Sequence, residues 1–196
     1  HGLTVLYQYF PSDISSDISR EFLRWASQRD ISVYLLNGSP DWALDPQGGD
    51  MLKIVRQAKK INKNLEENER LAGILMDCEP YLLDQWDERK YEIMESYVDA
   101  MTSARRKAST ASLIYIACIP FYYDDMGLEN QLESLFSRGC DGVAIMNYSK
   151  KNEAGHIETE LSLAKVYNRA VTVIYELQNP DDHGLSEVNT YYHDGL

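Results

Sequence analysis

Short apolar runs rich in β-branched and aromatic residues alternate with longer stretches whose apolar residues recur at helical spacing. The runs lie at 3–10, 31–37, 72–79, 112–121, 142–148 and 171–177, and each predicts a strand. Between them the spacing predicts helices over 16–29, 50–67, 88–108, 128–137 and 157–168. Phe22, Leu23, Trp25 and Ala26 mark the buried face of the first helix, and Leu52, Val55, Ala58, Ile61 and Leu65 that of the second. Trp25 is assigned to the core, and Trp86 to a cap on the loop after residue 79. Charged helix faces read as solvated surface. Strand–helix alternation of this kind marks repeated βα units and a parallel sheet.

Strand starts recur roughly every 30 to 40 residues, so eight units would need about 250 residues, the usual size of a (β/α)8 barrel. Six are visible in 196 residues. After a short helix expected at 186–195 the pattern stops where another strand is due. The expectation is therefore an α/β chain with a TIM-barrel-like (β/α)8 fold that is incomplete, a single partial domain over residues 1–196. An open doubly wound sheet is the alternative. Such sheets carry a glycine-rich phosphate turn after the first strand, and Tyr9-Phe10-Pro11-Ser12-Asp13 is not one.

Composition narrows the partners. Hydrophobic residues make up 44% and tyrosine occurs 14 times, which excludes a disordered tail. Nineteen Lys and Arg face 31 Asp and Glu, a net charge of −12 with no basic run, so nucleic acid and anionic membrane are poor partners, and neither nucleic-acid binding nor membrane insertion is expected. No run of about 18 apolar residues exists to insert in a bilayer. Cys78, Cys118 and Cys140 are odd in number and lie in or beside apolar runs, where buried free thiols are expected. His1, His156, His183 and His193 share no metal-ligand spacing, so no metal and no cofactor is expected. The chain opens His1-Gly2 with neither initiator Met nor signal-peptide regions, which reads as a processed or excised segment.

Reactive side chains of parallel βα folds collect at the carboxyl ends of the strands. The strand 72–79 stays apolar until Asp77-Cys78-Glu79-Pro80, where it presents two carboxylates at i and i+2. Strand alternation points both the same way, with α-carbons about 6.5–7 Å apart. Two acids facing one space repel, so one keeps its proton to higher pH, as glycoside cleavage requires. The other strand ends add aromatics, acids and amides: Tyr9, Asn37, Trp42, Tyr122, Asp124, Asn147, Tyr148 and Glu176. Sugar rings have apolar C–H faces and hydroxyl rims, which such a lining suits.

These residues carry a resemblance. The stretch 72–79 resembles the signature strand of the chitinase-type (family 18) glycoside hydrolases, D-G-x-D-x-D-x-E, matching at Gly73, Asp77 and Glu79. Met146-Asn147-Tyr148 is similar to the family's M-x-Y, two strands further on. The resemblance implies a (β/α)8 barrel of which the first and eighth strands are absent here. It implies Glu79 as general acid, Asp77 as the carboxylate that orients a substrate 2-acetamido group, and Tyr148 as a hydrogen-bond partner of that group. The family's first two aspartates are Ala72 and Leu75 here, and Ser149 follows the tyrosine, so the acid relay behind Asp77 is missing. Residues 35–44 together with 77–81 also resemble a group of little-characterised hydrolase-like barrels.

The leading expectation is a glycoside hydrolase-like domain acting on a polysaccharide or glycan, with Glu79, Asp77 and Tyr148 catalytic and Trp42, Asn37, Tyr122, Asp124, Asn147, Glu176 and Tyr9 binding substrate. A catalytically inactive carbohydrate-binding barrel is the second. A hard-cation enzyme using Asp77, Glu79 and Glu176 is the third. Only the substrate class points to a secreted or cell-envelope setting. An open seam between the first and last strands is expected to favour self-association.

Overall fold

The structure is a computed structural model that describes residues 2–194 except Ser12 and Ser15. His1 and the side chain of His183 lie outside what it describes. All six expected strands form: β1 (Val5–Gln8), β2 (Ser32–Asn37), β3 (Gly73–Met76), β4 (Ile114–Pro120), β5 (Gly142–Met146) and β6 (Ala170–Ile174). The helices are α1 (Ser16–Ser27), α2 (Gly49–Asn62), α3 (Trp86–Ser109), α4 (Glu129–Ser134), α5 (Glu158–Tyr167) and the short α6 (Pro180–His183). Every strand pairs in parallel with its sequence neighbour, in the order β1-β2-β3-β4-β5-β6. Parallel neighbours require a crossover, which α1 to α5 supply. β1 and β6 each have one neighbour and do not pair with each other, so the sheet is an open half-barrel.

Two apolar layers follow from strand alternation. Ile74, Met76 and Cys78 face outward into a core shared with Met51, Val55 and Ala58 of α2 and Ile93, Met94, Tyr97 and Met101 of α3. Each such fully buried aliphatic side chain contributes about 1.5–3 kcal/mol, so this layer dominates stability. Leu75, Ile116, Cys118, Ala144 and Met146 face inward, flanked by Tyr7, Tyr34, Leu36, Tyr148 and Ile174. Burial falls towards the seam. β3 and β5 are buried at every position, whereas no residue of β1 or β6 is.

Three sequence expectations are corrected. Trp25 is 44% exposed rather than in the core; it stacks on Phe22 with the Arg29 guanidinium 4.6 Å over its ring. α1 packs on the 3₁₀ turn at Glu67–Glu69, on α2 and on β2, which leaves Trp25 exposed. Trp86 does not cap the loop after Glu79 but opens α3, buried and stacked on Tyr123. Residues 186–194 form turns, not a helix. Their backbone partners lie on other loops: Lys150 N–H donates to Val188 O and Tyr191 N–H to Glu176 O, at 2.8 Å each.

Candidate active site

The acidic pair sits where β3 leaves the ladder. Asp77 still donates its N–H to Asn37 O at 2.9 Å, one step beyond the paired residues. Leu75 points inward while Ile74, Met76 and Cys78 point outward, so Asp77 and Glu79 follow Leu75 to the inner face. The outward Cys78 thiol donates to Ser39 O at 3.1 Å and ties the β2 loop to this strand end. Gly38 makes the approach possible, because a Cβ there would stand 1.9 Å from the Asp77 carbonyl oxygen.

Register sets the levels of the site. Met76 pairs with Ala117, and one further step brings Asp77 beside Cys118, which pairs with the small Ala144. Pro120, Met146 and Ile174 share the next inner level, that of Glu79. Above it stand Tyr81, Tyr122 and Tyr148, which with Pro120, Phe121, Met146 and Asn189 line a cavity of about 300 Å³. A larger cavity of about 540 Å³ lies at the amino ends of β2–β4, lined by Asn62, Asn68 and Arg70 among others, and holds none of the expected site residues. The smaller one is lined by Tyr81, the partner of Glu79, and by Tyr122 and Tyr148, while the Asp77 and Glu79 side chains do not line it.

Electrostatics separate the two acids. Half-buried Glu79 is pushed above the usual carboxylate range by burial; the bond from Tyr81 opposes this and the Asp77 charge adds to it. Tyr81 donates its hydroxyl to Oε2 of Glu79. Oδ1 of Asp77 is buried without a hydrogen-bond partner. The Cys118 thiol lies against Asp77, and burial together with that carboxylate keeps it protonated. Burial also raises the Tyr148 phenol, with Cys118, Glu176, Asp77 and Glu79 adding to the effect. Asp77, Glu79, Tyr148 and Glu176 thus share one electrostatic neighbourhood.

The other expected binding residues separate. Tyr122 joins the cluster, edge-on to Tyr81 at 5.7 Å. Glu176 turns its Oε1 to the N–H groups of Leu177 and Gln178, at 2.8 and 2.7 Å. Trp42, on a 3₁₀ turn at Pro40–Leu44, is half-buried and packs against the outer core. Asn37 folds its Oδ1 back onto Gly38 N–H. Asn147 is fully buried; its Nδ2 donates to Glu153 O and its Oδ1 meets His156 Nδ1 at 3.2 Å, so it braces the β5 loop. Asp124 accepts from Asp125 N–H, and Tyr9 is 52% exposed at the end of β1. Sequence reasoning missed Tyr81, Cys118 and Asn189. Asn189 Nδ2 donates to Tyr148 O at 2.6 Å and fixes the tyrosine's backbone from 41 residues away. The two-residue step from Glu79 to Tyr81 is the signal that could have found the first; nothing local marks the third.

Among the described residues no group of three or more His, Cys, Asp or Glu side chains is placed to hold a metal ion. No helix among them is long and apolar enough to cross a membrane. No protein-family model and no curated protein matches the sequence. Solved structures do match in fold. A GH18 chitinase from Pseudoalteromonas aurantia aligns with TM-score 0.55 and 14% identity over 83% of this chain and 62% of that one. A chitinase from Chromobacterium violaceum ATCC 12472 aligns with TM-score 0.55 and 15% identity over 87% of this chain and 60% of that one. The chain thus spans about three-fifths of their length. At such identity the likeness is one of fold: six parallel strands in an open half-barrel that matches part of a GH18 chitinase barrel.

Proposed function

We propose that this chain is a glycoside hydrolase-like domain acting on a polysaccharide or glycan, with Glu79 as general acid and Asp77 as the orienting or stabilising carboxylate. The observation that carries the reading is the half-buried Glu79, raised in pKa by burial and the Asp77 charge and bonded to Tyr81, which with Tyr122 and Tyr148 lines the neighbouring cavity. A carboxyl whose pKa is raised keeps its proton to higher pH and can deliver it to a leaving glycosidic oxygen. The carboxylate of Asp77, whose Oδ1 is buried without a hydrogen-bond partner, sits beside Glu79, where its charge can stabilise an oxocarbenium-like transition state. Tyr148 has its backbone fixed by Asn189 and its phenol protonated, so it can donate to the same substrate group. Both solved neighbours are named as chitinases, and chitin oligosaccharides are the first substrates to test.

Ala72 and Leu75, standing where the family motif has aspartates, favour a second reading: a carbohydrate-binding barrel without turnover. One experiment separates the two. Hydrolysis and binding are measured across an oligosaccharide panel for the wild type and Glu79→Gln. The amide keeps the shape but delivers no proton, so turnover should fall about 10²–10⁴-fold with binding retained. Equal turnover in both proteins removes Glu79 from the mechanism. Binding without turnover in the wild type selects the second reading.

A further inference from the structure

Among the described residues Tyr81 is the only side chain hydrogen-bonded to Glu79. Pro80 fixes the chain direction after the acid, and Leu82 N–H closes a 3₁₀ turn on Glu79 O at 3.1 Å. This turn brings residue 81 back over residue 79. The phenol ring is then wedged edge-on between Tyr122 at 5.7 Å and Tyr123 at 6.3 Å. Tyr123 is itself buried and stacked on Trp86 at the start of α3. The partly buried ring packs against both the outer and the inner apolar layers. Phenylalanine would fill this place equally well, so the hydroxyl and its target are the informative features.

We propose that Tyr81 is a positioning residue for proton delivery by Glu79: its hydroxyl holds Oε2, so the proton to be delivered rides on Oε1. A neutral carboxyl accepts hydrogen bonds best through its carbonyl oxygen, which places the acidic hydrogen on the other one. Burial and the Glu79 carboxylate keep the Tyr81 phenol protonated far above neutral pH, so it is a permanent donor and not a base. Once the proton has gone to a leaving oxygen, a new carboxylate stands in a half-buried place beside Asp77. The Tyr81 hydroxyl stabilises that anion, and charge-assisted bonds of this kind are roughly twice as strong as neutral ones. It therefore favours the form of Glu79 that acts as base in the second half of a two-step cleavage. Burial and Asp77 favour the protonated form, and the acid works between these opposing pulls.

The kinetic part of this inference rests on the reading of Glu79 as general acid; the titration part does not. Tyr81→Phe keeps the ring and removes the donor. The Glu79 carboxyl is followed by ¹³C NMR, its resonance assigned by its absence from Glu79→Gln, and should titrate about one pH unit higher in Tyr81→Phe. Tyr123→Phe removes a hydroxyl from the same cluster without touching the bond and should leave the titration in place. In a hydrolytically active protein, the high-pH limb of the rate profile should move up by the same amount, with kcat about tenfold lower. A purely structural role would lower kcat and Tm without moving that limb. Identical Glu79 titration in wild type and Tyr81→Phe overturns the proposal whatever the enzyme hydrolyses. A shifted titration in a protein that cleaves no sugar upholds the positioning and overturns the glycosidase reading. Should Tyr81→Phe fail to fold, the wild-type Tyr81 Cζ resonance must follow the Glu79 titration and lose that response in Glu79→Gln; a flat response overturns the proposal.

Discussion

Gly38 shows how much of the site depends on a side chain that is not there. A Cβ on this residue would lie 1.9 Å from the carbonyl oxygen of Asp77 and 2.2 Å from its carbonyl carbon, both backbone atoms that cannot rotate away. Gly38→Ala must therefore push the β2 loop off the end of β3, where the Cys78 thiol and the Asp77 N–H now hold it. The expected cost is that of overpacking, about 1–3 kcal/mol, read in a thermal melt as a fall in Tm of several degrees. An unchanged Tm would mean that the two loops are not in contact. Gly73 does similar work within β3: a Cβ there would stand 2.8 Å from the Tyr34 ring. Asp77 and Glu79 were legible in the sequence because period-two alternation after an apolar run is a local signal. Tyr81 was less so, because its role depends on a turn that reverses the chain. Trp25 was misassigned because helical spacing records which residues could share a face, not whether a neighbour covers it.

The apolar stripe of α5 contains a carboxylate. Ile157 just before α5 and Glu160 and Ala164 within it recur at helical spacing and are all buried, and neither oxygen of Glu160 is bonded to another residue. Asp124 and Asp125, on the loop between β4 and α4, face it electrostatically. Burial and these charges push Glu160 up to about 7, against a smaller opposing pull from its own backbone N–H. His156, one turn earlier, stacks on Phe121 at 4.3 Å and meets Asn147. The unfolded chain titrates Glu near 4.3, so between there and about 7 the folded state binds more protons. Stability from Glu160 is present in full below that range and is lost as pH rises through about 7. The wild-type Tm should decline over this interval, and Glu160→Gln should flatten the decline and melt above the wild type at pH 8. Parallel Tm profiles would show that Glu160 does not titrate there. At this scale β–α alternation was legible throughout, with strand ends shifted by no more than three residues. The turns at 186–194 were not, because the bonds that hold them, from Asn189 to Tyr148 O and from Thr190 to Gln178 O, span 41 and 12 residues.

A sheet with two free parallel edges has the geometry of a barrel interrupted. Small barrels fill their interior with side chains when eight strands close with matched tilt and shear; six strands in sequence leave the inner face open on one side. Apolar side chains are exposed at both edges: Leu3 just before β1 and Val5 within it, Tyr175 and Leu177 just beyond β6, and Ile18 and Trp25 on α1 and Leu161 and Val166 on α5 in the helix layer. Unpaired edges beside apolar surface pair with other chains unless something prevents it. A net charge of −12 opposes such contacts at low ionic strength, and salt screens it over about 8–10 Å. Residues 1–196 alone should therefore sediment near 22.5 kDa at low salt and low concentration, and as larger species as either rises. Val5→Lys should reverse the association, because a charge on the β1 edge must be desolvated before another strand can pair there. A wild type that stays monomeric across concentration and salt would show that the seam is not sticky. Association that Val5→Lys leaves untouched would move the contact from the β1 edge to the helix flank around Ile18, Phe22 and Trp25.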